Sequence, residues 1–88
     1  MKRSDVLHMA DDLINGQRAK DYGDAKENFT AIARMWSAYL GEEALVTAYD
    51  VAIMMALLKA ARVRMGPHAD SEIDGAAYFA LASELGDD

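Results

Sequence analysis

Eight consecutive residues, Val51 to Leu58, carry no polar side chain, and a strong helix-start signal stands directly before them. Thr47 and Asp50 have the spacing of a capping box, in which each side chain serves the other's backbone N–H. Val46 and Val51 have the spacing of the accompanying hydrophobic staple. Wound at helical pitch, Val51, Ala52, Ile53, Met54, Met55, Ala56, Leu57 and Leu58 cover every side of the cylinder. A helix with no polar face has to be the central element, covered by other helices or by a second subunit. The run is far short of the about 20 residues needed to cross a bilayer, so a soluble core helix is expected. Gly66-Pro67 stops it.

Three further helices are expected around it. In the first, Ser4 serves as N-cap, and Val6, Met9, Ala10, Leu13 and Ile14 recur at helical spacing. If this helix runs past Gly16 to about Asp21, Gln17 and Asp21 extend its apolar stripe with polar groups. Asp24 opens the next helix, with Glu27 completing a capping box. That helix buries Phe29, Ile32, Ala33, Trp36 and Leu40 and closes at Gly41. Ser71 and Asp74 give a capping box for the last helix, whose buried face is Ile73, Ala77, Ala80, Leu81 and Leu85. No stretch alternates as a strand would, and there is no repeat or linker. The expected architecture is a single all-α domain over residues 1–88, a compact four-helix bundle completed by homo-oligomerisation.

Composition supports the last point and excludes several functions. A chain of 88 residues buries only about two-thirds of its unfolded surface, yet 52% of this one is hydrophobic, more than so small a domain easily hides. A net charge of −6, with nine Lys and Arg spread along the chain, argues against a nucleic-acid polymer as partner. With no cysteine, disulfides, thiolate zinc sites and cysteine nucleophiles are excluded. Neither a serine-hydrolase elbow nor a glycine-rich phosphate loop is present. Met1 to Asp5 leads into an acidic amphipathic segment, not a secretory signal, so a cytoplasmic protein with no membrane partner is expected.

The candidates for chemistry are polar residues on or beside stripes that should be buried: Gln17, Asp21, Asn28, Arg62 and Asp74. Burying an unpaired charge costs several kcal/mol, roughly, so such groups either neutralise one another or receive a ligand. Arg62 lies mid-stripe with Val51, Met55, Leu58 and Met65, and Lys59 sits at its edge. A guanidinium there calls for carboxylates or phosphates. Asp70 and Asp74 begin the antiparallel neighbour. One account pairs Arg62 with Asp74; the other has these groups converge with Asp21 and Asn28 on a ligand. Asn28 borders Ile32 and Met35, where its amide suits a base edge or a ribose, and Tyr22 or Tyr78 could stack on a base. His8 and His68 read as surface residues.

The strings Gln17 to Asp24, Glu27-Asn28-Phe29 and Ile32 to Trp36, then Asp50-Val51-Ala52, Lys59-x-x-Arg62 and Asp70-x-x-x-Asp74-x-x-x-Tyr78, resemble a group of small uncharacterised bacteriophage and prophage proteins over nearly the whole chain. Their arrangement is distantly similar to the MazG-like all-α nucleoside triphosphate pyrophosphohydrolases. That likeness implies helical carboxylates on Mg²⁺, basic residues on a triphosphate, and dimers or larger assemblies. The MazG-like E-x-x-E is absent, and Glu84-x-x-Asp87 lies at the C-terminal end. The expected function is therefore a phage-type nucleotide-binding helical protein. As an enzyme it would release pyrophosphate, with Asp70 and Asp74 as metal ligands for Mg²⁺. Gln17, Asp21, Asn28, Lys59, Arg62 and Tyr78 would bind the substrate. The alternative is a non-catalytic phage protein that sequesters a nucleotide signal or binds and inhibits a host protein.

Overall fold

The computed structural model describes residues 1–16, 24–41 and 45–86. Among them are four α-helices and no strand: α1 (Arg3–Asn15), α2 (Ala25–Leu40), α3 (Ala48–Val63) and α4 (Ala69–Leu85). The all-helical bundle expected from the sequence is the fold observed. None of the described helices is long and apolar enough to cross a membrane.

The strongest local signals act as read. Thr47 Oγ1 accepts the Asp50 N–H at 3.1 Å, and Asp50 Oδ2 accepts the Thr47 N–H at 3.0 Å. Val46 packs on the cluster that contains Val51, as a staple requires. Asp24 caps α2 by accepting the Lys26 N–H, and Gly41 closes that helix at φ 111°, a backbone angle that side chains with a Cβ rarely adopt. Ser37 adds a tie the sequence did not announce. Its Oγ accepts the Val46 N–H at 2.9 Å and donates to the Val46 carbonyl at 3.3 Å, fixing the entry to α3 against α2.

Two helix starts differ from expectation. Ser4 lies inside α1, and it is Asp5 whose carboxylate accepts the Lys2 N–H at 3.1 Å. Helix α4 begins earlier than a Ser71 cap would allow. His68 is its N-cap, with Nδ1 accepting the Ser71 N–H at 3.2 Å and lying 2.8 Å from Ser71 Oγ. Ser71 is thereby buried with its hydroxyl satisfied. At its far end α1 stops at Asn15 with Gly16 as its C-cap, and the expected extension towards Asp21 lies outside the described residues. Gln17 and Asp21 fall outside the described residues.

The helices stand in the spatial order α1, α4, α3, α2, because α4 packs on both α3 and α1 while α2 packs on α3. The dimensions, 43 × 31 × 22 Å, fit such a row. Two apolar clusters result. The larger joins Phe29 and Ala33 of α2, Val51 and Ala52 of α3, and Ala82 and Leu85 of α4, with Trp36, Tyr78 and Leu81 packed around them. The smaller joins Ala10 of α1 to Ile73 and Ala77 of α4. The helix with two partners on opposite sides is thus α4 as much as α3. Val51 and the small residues Ala52 and Ala56 are the buried ones on α3, whereas Met54, Leu57 and Leu58 point outward. Met9, Leu40 and Ala80, expected inside, are exposed. Close approach also marks the far end of the α3–α4 pair, where a Cβ on Gly86 would come within 2.9 Å of the Tyr49 ring.

Candidate functional site

Helices α3 and α4 run antiparallel and meet closely where Lys59 faces Gly75; a methyl group at Gly75 would lie 3.6 Å from the Lys59 Cβ. Beside this contact Lys59 Nζ reaches Asp74 Oδ2 at 3.1 Å, with the two side chains only 15% and 35% exposed. One turn further along α4, the Tyr78 ring packs on Phe29 of α2, with centroids 6.2 Å apart and planes inclined by 37°. The half-buried ion pair thus joins α3 to α4, and the contact of α2 with Tyr78 lies one turn further along α4.

The pairing corrects the sequence reading of Arg62. That residue is exposed in the last turn of α3, and the carboxylate of Asp74 is taken by Lys59 instead. Leu58 and Met65, which defined the supposed buried stripe around Arg62, are themselves 49% and 82% exposed. The buried face of α3 runs through Val51, Met55 and Lys59, and Arg62 flanks it. A methyl group at Gly75 would sit at ordinary contact distance from Lys59, so no single residue signals this pairing; it follows from the rotation of α3 that buries Val51 and Ala56.

The remaining candidates divide simply. Asn28 is exposed on α2 next to Phe29, and Asp70 is exposed in the first turn of α4, one turn before Asp74. Asn28, Lys59, Arg62, Asp70, Asp74 and Tyr78 thus all lie on or within about one turn of the two contacts just described. Gln17, Asp21 and Tyr22 are outside the described residues. His8 and His68 are both exposed, as read, and His68 is in addition the N-cap of α4. Among the described residues no group of three His, Cys, Asp or Glu side chains gathers to hold a metal ion.

A different opening lies between α1 and α4. It is a cleft of about 190 Å³ with Ala10, Ile14, Ala76 and Leu81 in its walls and Asp11 and Glu84 among its polar groups. Asn15 Nδ2 donates to Asp11 Oδ1 at 2.9 Å on this side. None of the charged residues at the α3–α4 crossing borders it.

Compared with known proteins, residues 5–86 match DUF6378, a domain of unknown function. This chain belongs to the DUF6378 family. The Gene 55 protein of Mycobacterium phage L5 is 49% identical to it over 82 residues, which is 91% of this chain and 51% of that protein. The Gene 55 protein of Mycobacterium phage D29 is 46% identical over 81 residues, 91% of this chain and 52% of that protein. The DUF6378 chain is thus a phage-type protein that spans about half the length of these curated relatives. No solved structure matches it.

Proposed function

We propose that this DUF6378 chain binds a nucleotide or a related phosphate-bearing small molecule beside the Lys59–Asp74 pair that joins α3 to α4. The observation that carries the reading is the half-buried Lys59–Asp74 pair with Arg62 one turn away. Ion pairs set between helices contribute little net stability, because desolvation offsets much of their attraction. A phosphate arriving here meets two cations on one helix, the Lys59 ammonium and the Arg62 guanidinium, the latter suited to bidentate contact with its oxygens. Tyr78 offers a ring edge and Asn28 an amide for the base or ribose. Gln17 and Asp21 belong to the proposed ligand set on sequence grounds.

Mg²⁺ enters this reading as an ion carried by the phosphates, with Asp70 and Asp74 as its protein ligands. The residues described do not form a cage of their own for it: Asp74 is already engaged by Lys59, and Asp70 stands on the surface. No hydrolytic step is assigned to them. The distant MazG-like resemblance of the motif arrangement, read from the sequence, is the ground for a nucleotide as the ligand class, and the likeness to phage proteins is the ground for the host-cell cytoplasm as the setting.

The test incubates the protein with a panel of nucleotides, with and without Mg²⁺, and measures both bound ligand and released pyrophosphate. Binding that Arg62→Met and Lys59→Met each weaken supports the reading. Binding without turnover identifies a sequestering protein, and Mg²⁺-dependent release of pyrophosphate extends the reading to an enzyme. Failure of every nucleotide to bind overturns it.

A further inference from the structure

On α3 the face opposite the core reads, from its N-terminal end, Asp50, then Met54, Leu57, Leu58 and Ala61, and it is continued by the C-cap Arg64, whose backbone is still helical, and by Met65 in the turn that follows. Met54 is 43%, Leu57 59%, Leu58 49% and Met65 82% exposed. Their spacing follows one stripe of a straight helix, so they form a continuous apolar ridge and not scattered surface residues. The ridge is closed by an acid at one end and a base at the other. Asp50 and Arg64 lie seven residues either side of Leu57, about 10 Å along the axis in each direction.

From this symmetry we infer that α3 pairs with α3 of a second copy, antiparallel across a two-fold axis at Leu57. In that register Asp50 stands opposite the partner's Arg64 and Arg64 opposite the partner's Asp50, so the surface is self-complementary in charge as well as apolar along its centre. The positive N-terminal end of each helix dipole also lies beside the negative C-terminal end of the other. The available area agrees. The chain exposes 6555 Å² at a mass of 9.6 kDa, whereas a folded monomer of that mass exposes about 5,100 Å². That excess is spread over the whole surface, and the α3 ridge is one part of it. Lys59 lies on the inner side of α3, so this pairing stands independently of the phosphate reading.

Because the chain has no cysteine, single-cysteine variants report the axis directly. Under mild oxidation Leu57→Cys is expected to form a disulfide-linked dimer. Met54→Cys is expected not to, since its two copies would be separated by about 9 Å along the axis, beyond the reach of about 7 Å between Cα atoms that a disulfide allows. By sedimentation the unmodified protein is expected to be a dimer, and Arg64→Asp to weaken it roughly tenfold or more through two symmetric carboxylate repulsions, with its helical circular dichroism unchanged. A protein that stays monomeric at high micromolar concentration overturns the inference, including one whose α3 face is covered only by a host protein. So does a dimer in which Met54→Cys crosslinks and Leu57→Cys does not.

Discussion

The two apolar clusters are built from different materials. Between α2, α3 and α4 the side chains are large and interlocked, with Phe29, Trp36, Tyr78 and Leu85 meeting over the small residues Ala33, Ala52 and Ala82. Between α1 and α4 the contact rests on Ala10, Ile73 and Ala77, with Val6, Leu13 and Ile14 at its margins and an open cleft alongside. Apolar burial stabilises in proportion to area, so the first cluster holds the domain together and the second attaches one helix to it. The same division runs through the chemistry. The aromatic contact of Phe29 with Tyr78 belongs to the first cluster, whereas the Lys59–Asp74 pair ties α3 to α4 next to Ile73 of the second.

Changes to the two cores break that comparison in different ways. Phe29→Ala should destabilise the whole protein by about 3–5 kcal/mol, seen as a large drop in the midpoint of thermal unfolding for every helix at once. Ile73→Ala should cost about 2–3 kcal/mol. Its signature in hydrogen exchange is faster exchange of the α1 amides before those of α3, because local opening precedes global unfolding where few apolar contacts hold an element. Equal loss of protection in α1 and α3 would show that the clusters form one cooperative unit.

The ion pair sharpens the comparison on a smaller scale. Lys59→Met and Asp74→Asn should each cost about 1–2 kcal/mol, between the values for exposed and fully buried pairs. The double variant should regain much of the loss, since it leaves no lone charge between the helices. Arg62→Met, on the exposed flank, should change stability by no more than about 0.5 kcal/mol while weakening phosphate binding. Chemical denaturation of the four variants checks this, and coupling of Arg62 rather than Lys59 to Asp74 would refute the observed pairing. The cap of α4 lies between these values: His68→Ala should cost about 1 kcal/mol, and His68→Asn should restore most of it.

Much of the fold was legible because helix ends announce themselves. Thr47 with Asp50, Asp24, Gly41 and Gly66-Pro67 all fall where backbone groups need partners or where the chain must turn. Which way α3 faces was not legible, and the reason is physical. A helix apolar on every side gives periodicity nothing to report, and close packing then selects Ala52 and Ala56 over the bulkier Met54 and Leu57. That same uncertainty of phase exchanged Arg62 for Lys59 as the partner of Asp74. The cap of α4 was misread because Ser71 and His68 both offer acceptors, and serine is the commoner cap. Once helix α4 starts at Ala69, Ser71 lies in its first turn and bonds back to His68. The candidate site was legible as a set of residue types on three helices. Only the packing order α1, α4, α3, α2 decides which of them stand together.

The proposal that phosphate binds beside the Lys59–Asp74 pair and not in the α1–α4 cleft can be put to a single titration. Amide and side-chain NMR signals are followed as pyrophosphate, then a nucleoside triphosphate, is added to the full chain. The account predicts progressive, saturable shifts at Asn28, Lys59, Arg62 and Tyr78, with Leu7 to Asn15 and Ala80 to Glu84 unmoved. Shifts confined to those two α1 and α4 segments, or none anywhere at saturating ligand, would contradict it.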